Sequence, residues 1–227
     1  MSKIYMLHGF MGTSKTHFSN QLNFLEKENY EVILLDLPGH GSSEKVAVDD
    51  YFEDAVNWVI TKIKEQGKGY IIGLSLGASI AVHIALREPN ILSGIMLTGY
   101  SPFIPDELKS VMEKQYHHFL HIEQNDENVA RHFKELHGDK WFDTLQKVLY
   151  SQTFHYPSLF ETDLRDLKVP TLVLNGSNQQ HEIDSVHYIK THNSMVEVGL
   201  IPQAGHTANI DQPDIYNNMM SEFLRNN

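Results

Sequence analysis

Residues 69–86 read GYIIGLSLGASIAVHIAL, and the fold is decided by how this stretch divides. Gly69 to Leu74 is an apolar run of strand length, and Ala78 to Leu86 is apolar nearly all round, the pattern of a helix buried on every side. Between them lies Gly73-Leu74-Ser75-Leu76-Gly77. A G-x-S-x-G that closes a strand and opens a helix holds its serine on a sharp, strained turn, with the hydroxyl lifted above the sheet edge. Glycines have no Cβ to collide in so crowded a turn. The first turn of the following helix offers free N–H groups and a positive dipole end, so the amide of Leu76 can face a developing oxyanion.

The same alternation extends outward on both sides. Upstream, Ile4 to Leu7 and Glu31 to Leu37 read as buried strands ended by His8-Gly9 and Pro38-Gly39. Phe18 to Lys27 and Tyr51 to Ile63 read as helices, the second with Phe52, Val56, Val59, Ile60 and Ile63 on one face. Downstream, Ser93 to Thr98 is a fourth strand. Strands that are apolar throughout and alternate with helices predict a mostly parallel sheet covered on both faces. From Tyr100 to about Arg165 the periodicity is helical only, an insertion of roughly 65 residues. Alternation resumes with a strand at Pro170 to Asn175, a helix from about Asp184 to Lys190, a strand at Val196 to Ile201, and a last helix at Pro213 to Leu224.

Bulk properties narrow the function. A length of 227 residues suits one compact domain, 1–227, carrying that insertion. A net charge of −11 repels phosphate backbones and anionic lipid surfaces, so neither nucleic acid nor membrane is expected as a partner. The absence of cysteine removes disulfides, thiolate nucleophiles and thiolate metal sites. No apolar run approaches the ~20 residues of a spanning helix, and the N-terminal run ends at His8-Gly9, too short for a signal-peptide core. A soluble, cytoplasmic protein acting on a small molecule is the expectation.

Three further segments bring a resemblance into view: His8-Gly9-Phe10 after the first strand, Asp36-Leu37-Pro38-Gly39-His40-Gly41-Ser42-Ser43, and Gln203-Ala204-Gly205-His206 after the last strand. With the serine turn, they make the chain resemble the α/β-hydrolase superfamily over nearly its full length. The resemblance implies an α/β-hydrolase fold with a helical cap at about 100–165. It implies Ser75 as nucleophile, His206 as general base, and the amides of Phe10 and Leu76 as oxyanion donors. Asp36 belongs mainly to a structural turn beside the site. The N-terminal pair of strands common in larger members has no counterpart before His8.

The third member of the triad departs from the family pattern. The family places Asp or Glu in a G-x-x-D/E loop after the strand written here as Pro170 to Asn175, and this chain reads Gly176-Ser177-Asn178-Gln179. Three readings stay open. Gln179 serves as an uncharged third member; a nearby carboxylate, Glu182 or Asp184, substitutes; or hydrolysis has been lost and the fold binds a ligand. Asp184 also suits the N-cap of the helix that follows, and Glu182 a solvated loop.

The leading expectation is a serine hydrolase, a carboxylesterase-like enzyme cleaving a small ester through an acyl-enzyme on Ser75. A second is carbon–carbon lyase chemistry, because His8-Gly9-Phe10-Met11-Gly12-Thr13 also resembles the menaquinone-pathway synthases. Those enzymes grip an anionic substrate with arginines, whereas the insertion offers Arg131 and Arg165, and Leu74 stands where their tyrosine would precede the serine. No cofactor is expected, because neither G-x-G-x-x-G nor a Walker loop is present. His117 and His121 share a helix face at metal-ligand spacing, but no H-E-x-x-H or matching carboxylate accompanies them, so no metal is expected.

Overall fold

The computed structural model describes residues 1–227. Its elements run in chain order β1 (Lys3–Leu7), α1 (Ser14–Lys27), β2 (Glu31–Leu35), α2 (Tyr51–Gln66), β3 (Gly69–Leu74), α3 (Leu76–Arg87) and β4 (Leu92–Thr98). There follow α4 (Asp106–Leu120), α5 (Ile122–Asn125), α6 (Glu127–His137), α7 (Trp141–Phe154) and α8 (Glu161–Asp166). The chain ends with β5 (Thr171–Gly176), α9 (Gln180–His192), β6 (Glu197–Ile201), α10 (Ala208–Asp211) and α11 (Pro213–Asn226). All strands pair in parallel, in the order β2-β1-β3-β4-β5-β6. This is the α/β-hydrolase arrangement that the sequence implied.

The strands show why a parallel sheet buries both faces. Tyr5 and Leu7 of β1 enter one core with α2, α3 and α9, while Ile4 and Met6 enter the other with α1 and α11. Successive side chains leave a strand on opposite sides, so apolar residues at every position fill both layers. The first core holds Phe52, Val56, Val59 and Ile63 of α2, and the second holds Phe18 and Leu25 of α1 with Tyr216 and Met220 of α11. Leu76 through Val82 of α3 are buried without a break, as its all-round apolar sequence required.

Some boundaries differ from the sequence reading. The second strand stops at Leu35 rather than Leu37, because Asp36 turns away to bind the amides of Ser14 and Ser42. The first helix starts at Ser14, four residues before Phe18, where Thr13 and Thr16 form a reciprocal cap. The helix after β5 starts at Gln180, so Asp184 lies inside α9 and cannot be its N-cap. That last shift relocates the functional carboxylate.

The strand order doubles back at β1 and β3, the switch point whose carboxyl ends open a crevice for ligands. Helices α4 to α8 fill the interval between β4 and β5. They carry a small core of their own built on Ile122, Trp141, Leu145 and Leu149, which also takes in Met11. No residue of α4 is buried, although one of its faces is apolar. No helix is long and apolar enough to cross a membrane.

Candidate active site

Ser75 sits between β3 and α3 with φ 54° and ψ −113°, a backbone conformation that costs a non-glycine residue about 1–3 kcal/mol. The surroundings hold it there. Its amide donates to the Thr98 carbonyl at 2.8 Å, a bond from the elbow to the end of β4. A Cβ on Gly77 would collide with the Leu7 carbonyl, and one on Gly73 with the Gly77 carbonyl. Both motif glycines therefore let α3 start directly against the strand ends, and the turn stays tight enough to present the serine.

Ser75 opens into a cavity of about 490 Å³ at the carboxyl ends of β3, β4 and β5. Phe10, Leu76, Gly99, Glu182 and His206 line it from the sheet side, and Gln179 and His181 from the start of α9. Residues from α4 and α7, among them Leu108, Met112, Phe119 and Leu149, line it from the insertion. Leu76 is the first residue of α3, so its N–H has no intrahelical acceptor. Phe10, from the loop after β1, borders the same space. The two expected oxyanion donors thus meet Ser75 in one cavity.

His206 follows β6 on the loop to α10, and its Nδ1 lies 2.6 Å from Glu182 Oε1. Glu182 sits in the first turn of α9 with its side chain only 1% exposed. With Nδ1–H donated to the carboxylate, the ring's lone pair is left on Nε2, the nitrogen a base needs. Ser75 and His206 border the cavity together but form no hydrogen bond with each other in this ligand-free state.

Gln179, expected in the acid position, is not the group on His206. It is the N-cap of α9, exposed at the cavity rim, and its backbone carbonyl accepts from the amides of Glu182 and Ile183. Since α9 begins at Gln180, three residues of helix carry the chain back over the sheet and set Glu182 beneath the imidazole. Glu182 is accordingly no solvated loop charge. Asp184 accepts from Gln180 on the exposed side of the same helix.

Several supporting groups carry no local sequence signal. Asn175, fully buried at the end of β5, donates to the carbonyls of Tyr100 and Glu182 and accepts from the Tyr100 amide. It ties the acid's backbone to the end of β4. His17 Nδ1 accepts from the Gly9 amide at 3.1 Å. Burial and the neighbouring His206 charge lower its pKa from 6.5 to about 4. His137, at the end of α6, donates from Nε2 to the Met11 carbonyl and accepts the Gly41 amide on Nδ1. It thereby joins the insertion to the oxyanion loop.

His8 accepts the Leu37 amide on Nε2, and its complete burial pushes its pKa down from 6.5 to about 4. Burial works to raise the Asp36 pKa, but hydrogen bonds from Ser42 and Ser14 overcome it and hold the carboxyl low. Asp36 therefore anchors a turn, as the sequence suggested.

His117 and His121 are exposed on α4, outside the cavity lining, and His121 Nδ1 donates to the His117 carbonyl. No three His, Cys, Asp or Glu side chains lie close enough to share a metal ion.

Sequence comparison agrees with this geometry: the model of the alpha/beta hydrolase family matches residues 4–218. The chain belongs to the alpha/beta hydrolase family. Among solved structures, NosK from Streptomyces actuosus superposes on this family member with a TM-score of 0.90 at 29% identity, across 99% of this chain and 98% of that one. A Bacillus subtilis (strain 168) protein named "Uncharacterized carboxylesterase nap" is 26% identical, over 97% of this chain and 78% of its own length. The 2-succinyl-6-hydroxy-2,4-cyclohexadiene-1-carboxylate synthase of Serratia proteamaculans (strain 568) is 23% identical, over 97% and 92%.

Proposed function

We propose that this member of the alpha/beta hydrolase family is a serine hydrolase that cleaves a small, neutral carboxylic ester. The observation that carries the reading is the Glu182–His206 pair at 2.6 Å, bordering the cavity into which the strained Ser75 turn opens. Ser75 Oγ attacks the ester carbonyl while His206 Nε2 takes its proton. The oxyanion that forms faces the amides of Leu76 and Phe10. Collapse breaks the ester C–O bond, and His206 returns the proton to the departing alcohol. A water, deprotonated by the same nitrogen, then attacks the acyl-enzyme and releases the acid and Ser75. Glu182 holds the imidazole in the working tautomer and stabilises its cationic form.

A neutral substrate follows from the walls. No lysine or arginine lines the cavity. Arg131 and Arg165, the insertion's arginines, are exposed and engaged with Asn128 and Glu161. This weighs against the lyase reading, which needs cations to hold an anionic substrate. An intact serine turn, histidine and buried carboxylate weigh against a purely binding role. Short-chain p-nitrophenyl esters offered to the wild type and to Ser75→Ala test the proposal. The expected result is hydrolysis by the wild type that Ser75→Ala abolishes; equal background rates from both would refute ester cleavage.

A further inference from the structure

Almost every polar group around the catalytic cavity has a partner in the protein. Tyr156 donates its hydroxyl to the Ser101 carbonyl at 2.7 Å. The Ser185 hydroxyl lies 2.9 Å from that of Ser101 and 2.7 Å from the His181 carbonyl. Glu182 serves His206. Gln152 is the exception. It stands in the last turn of α7, between the cavity-lining residues Leu149 and Thr153. Its amide nitrogen is sealed from water and has no hydrogen-bond partner.

A buried amide donor left idle is a cost to the fold, because water bonds it in the unfolded chain and nothing does in the folded one. As packing alone, Leu or Met would fill the same volume without that cost. The opposite wall brings no relief, since α4 turns Leu108, Val111, Met112 and Phe119 to the cavity. The missing acceptor is therefore one that a ligand can bring. Half a turn about the last side-chain bond of Gln152 exchanges the ends of the amide and swings the donor round.

We propose that Gln152 is a specificity-determining residue, donating a hydrogen bond to a neutral acceptor, a ketone or amide carbonyl, on an otherwise apolar chain of the ester substrate. This rests on the serine-hydrolase reading above. The acceptor is neutral because the lining has no cation, while the Glu182 carboxylate borders the same space and the whole chain is acidic. The apolar face of α4 takes the rest of the chain.

Inactivation rates test this without requiring turnover. Ethyl p-nitrophenyl hexylphosphonate and its analogues with a ketone at carbon 3, 4 or 5 of the hexyl chain all react by one step. Ser75 Oγ bonds to phosphorus and p-nitrophenolate leaves, each rate being corrected for hydrolysis in buffer. At least one ketone probe should label the wild type roughly tenfold faster than the plain probe. Gln152→Met should bring that ratio to about one, chiefly by slowing the ketone probe. Gln152→Glu, which offers only acceptor oxygens at pH 8, should do the same and serves if Gln152→Met does not fold by circular dichroism. The proposal is overturned if no ketone probe outpaces the plain one on the wild type, or if the preference survives in the folded variants. If no probe labels the wild type faster than Ser75→Ala, the hydrolase reading falls and this inference falls with it.

Discussion

Replacing Glu182 by Gln keeps the shape of the side chain and removes its charge. The carboxylate is 1% exposed and 2.6 Å from His206 Nδ1, so little solvent screens it from the imidazolium that forms when Ser75 gives up its proton. Two unit charges about 4 Å apart near a protein surface attract by about 4 kcal/mol at an effective dielectric of 20. The analogous amide substitution in serine proteases lowers turnover about 10⁴-fold. Glu182→Gln should therefore lower kcat by roughly 10³- to 10⁴-fold with KM almost unchanged, because the interaction strengthens only as the proton moves. Gln179→Ala should change kcat by less than about threefold, a rim side chain being worth little. Stopped-flow and steady-state hydrolysis of one p-nitrophenyl ester by wild type and both variants reads this directly. A large loss in Gln179→Ala, or wild-type turnover in a folded Glu182→Gln, would refute the assignment of the acid.

Two further outcomes follow from groups away from the chemistry. Burial lowers the His8 pKa from 6.5 to about 4, so below about pH 6.5 the unfolded chain binds a proton that the folded one refuses. Stability from this group is complete above that pH and lost as pH falls toward 4, up to roughly 3 kcal/mol. His40 and His137, also lowered by burial, add to the same trend. Thermal melts should drop steeply between pH 7 and 4.5 and less steeply in His8→Asn, whereas a flat profile contradicts the burial argument. Gly77→Ala puts a methyl group onto the Leu7 carbonyl. It should destabilise the fold by about 1–3 kcal/mol or more and lower activity, and a variant matching the wild type in melting and turnover would contradict the close approach.

The fold was legible because its signals are local. Uninterrupted apolar strands such as Tyr70-Ile71-Ile72 and an all-apolar α3 can be read from neighbours alone. Ser75 and His206 were legible because the G-x-S-x-G and A-G-H segments lie at strand ends, where the fold brings such loops together.

The acid was not legible, because its position depends on where α9 begins. Counting from Gly176 stops at Gln179, and a helix start expected at Asp184 leaves Glu182 in a loop. Starting the helix at Gln180 turns Glu182 inward. His137, Asn175 and His17 escaped for a different reason. His137 meets Met11 across 126 positions of chain, and Asn175 meets Tyr100 across 75. A lone polar residue with a distant partner leaves no pattern in its neighbours. The orphaned amide of Gln152 becomes visible only once every other polar group in the cavity has been matched to its partner.

The most direct measurement is intact-mass analysis after exposure to a fluorophosphonate, applied to the wild type, Ser75→Ala and Glu182→Gln at pH 8. One phosphonyl adduct on Ser75 of the wild type, none on Ser75→Ala, and markedly slower labelling of Glu182→Gln are expected. No adduct on the wild type, or an adduct that survives in Ser75→Ala, would contradict Ser75 as the nucleophile of this site.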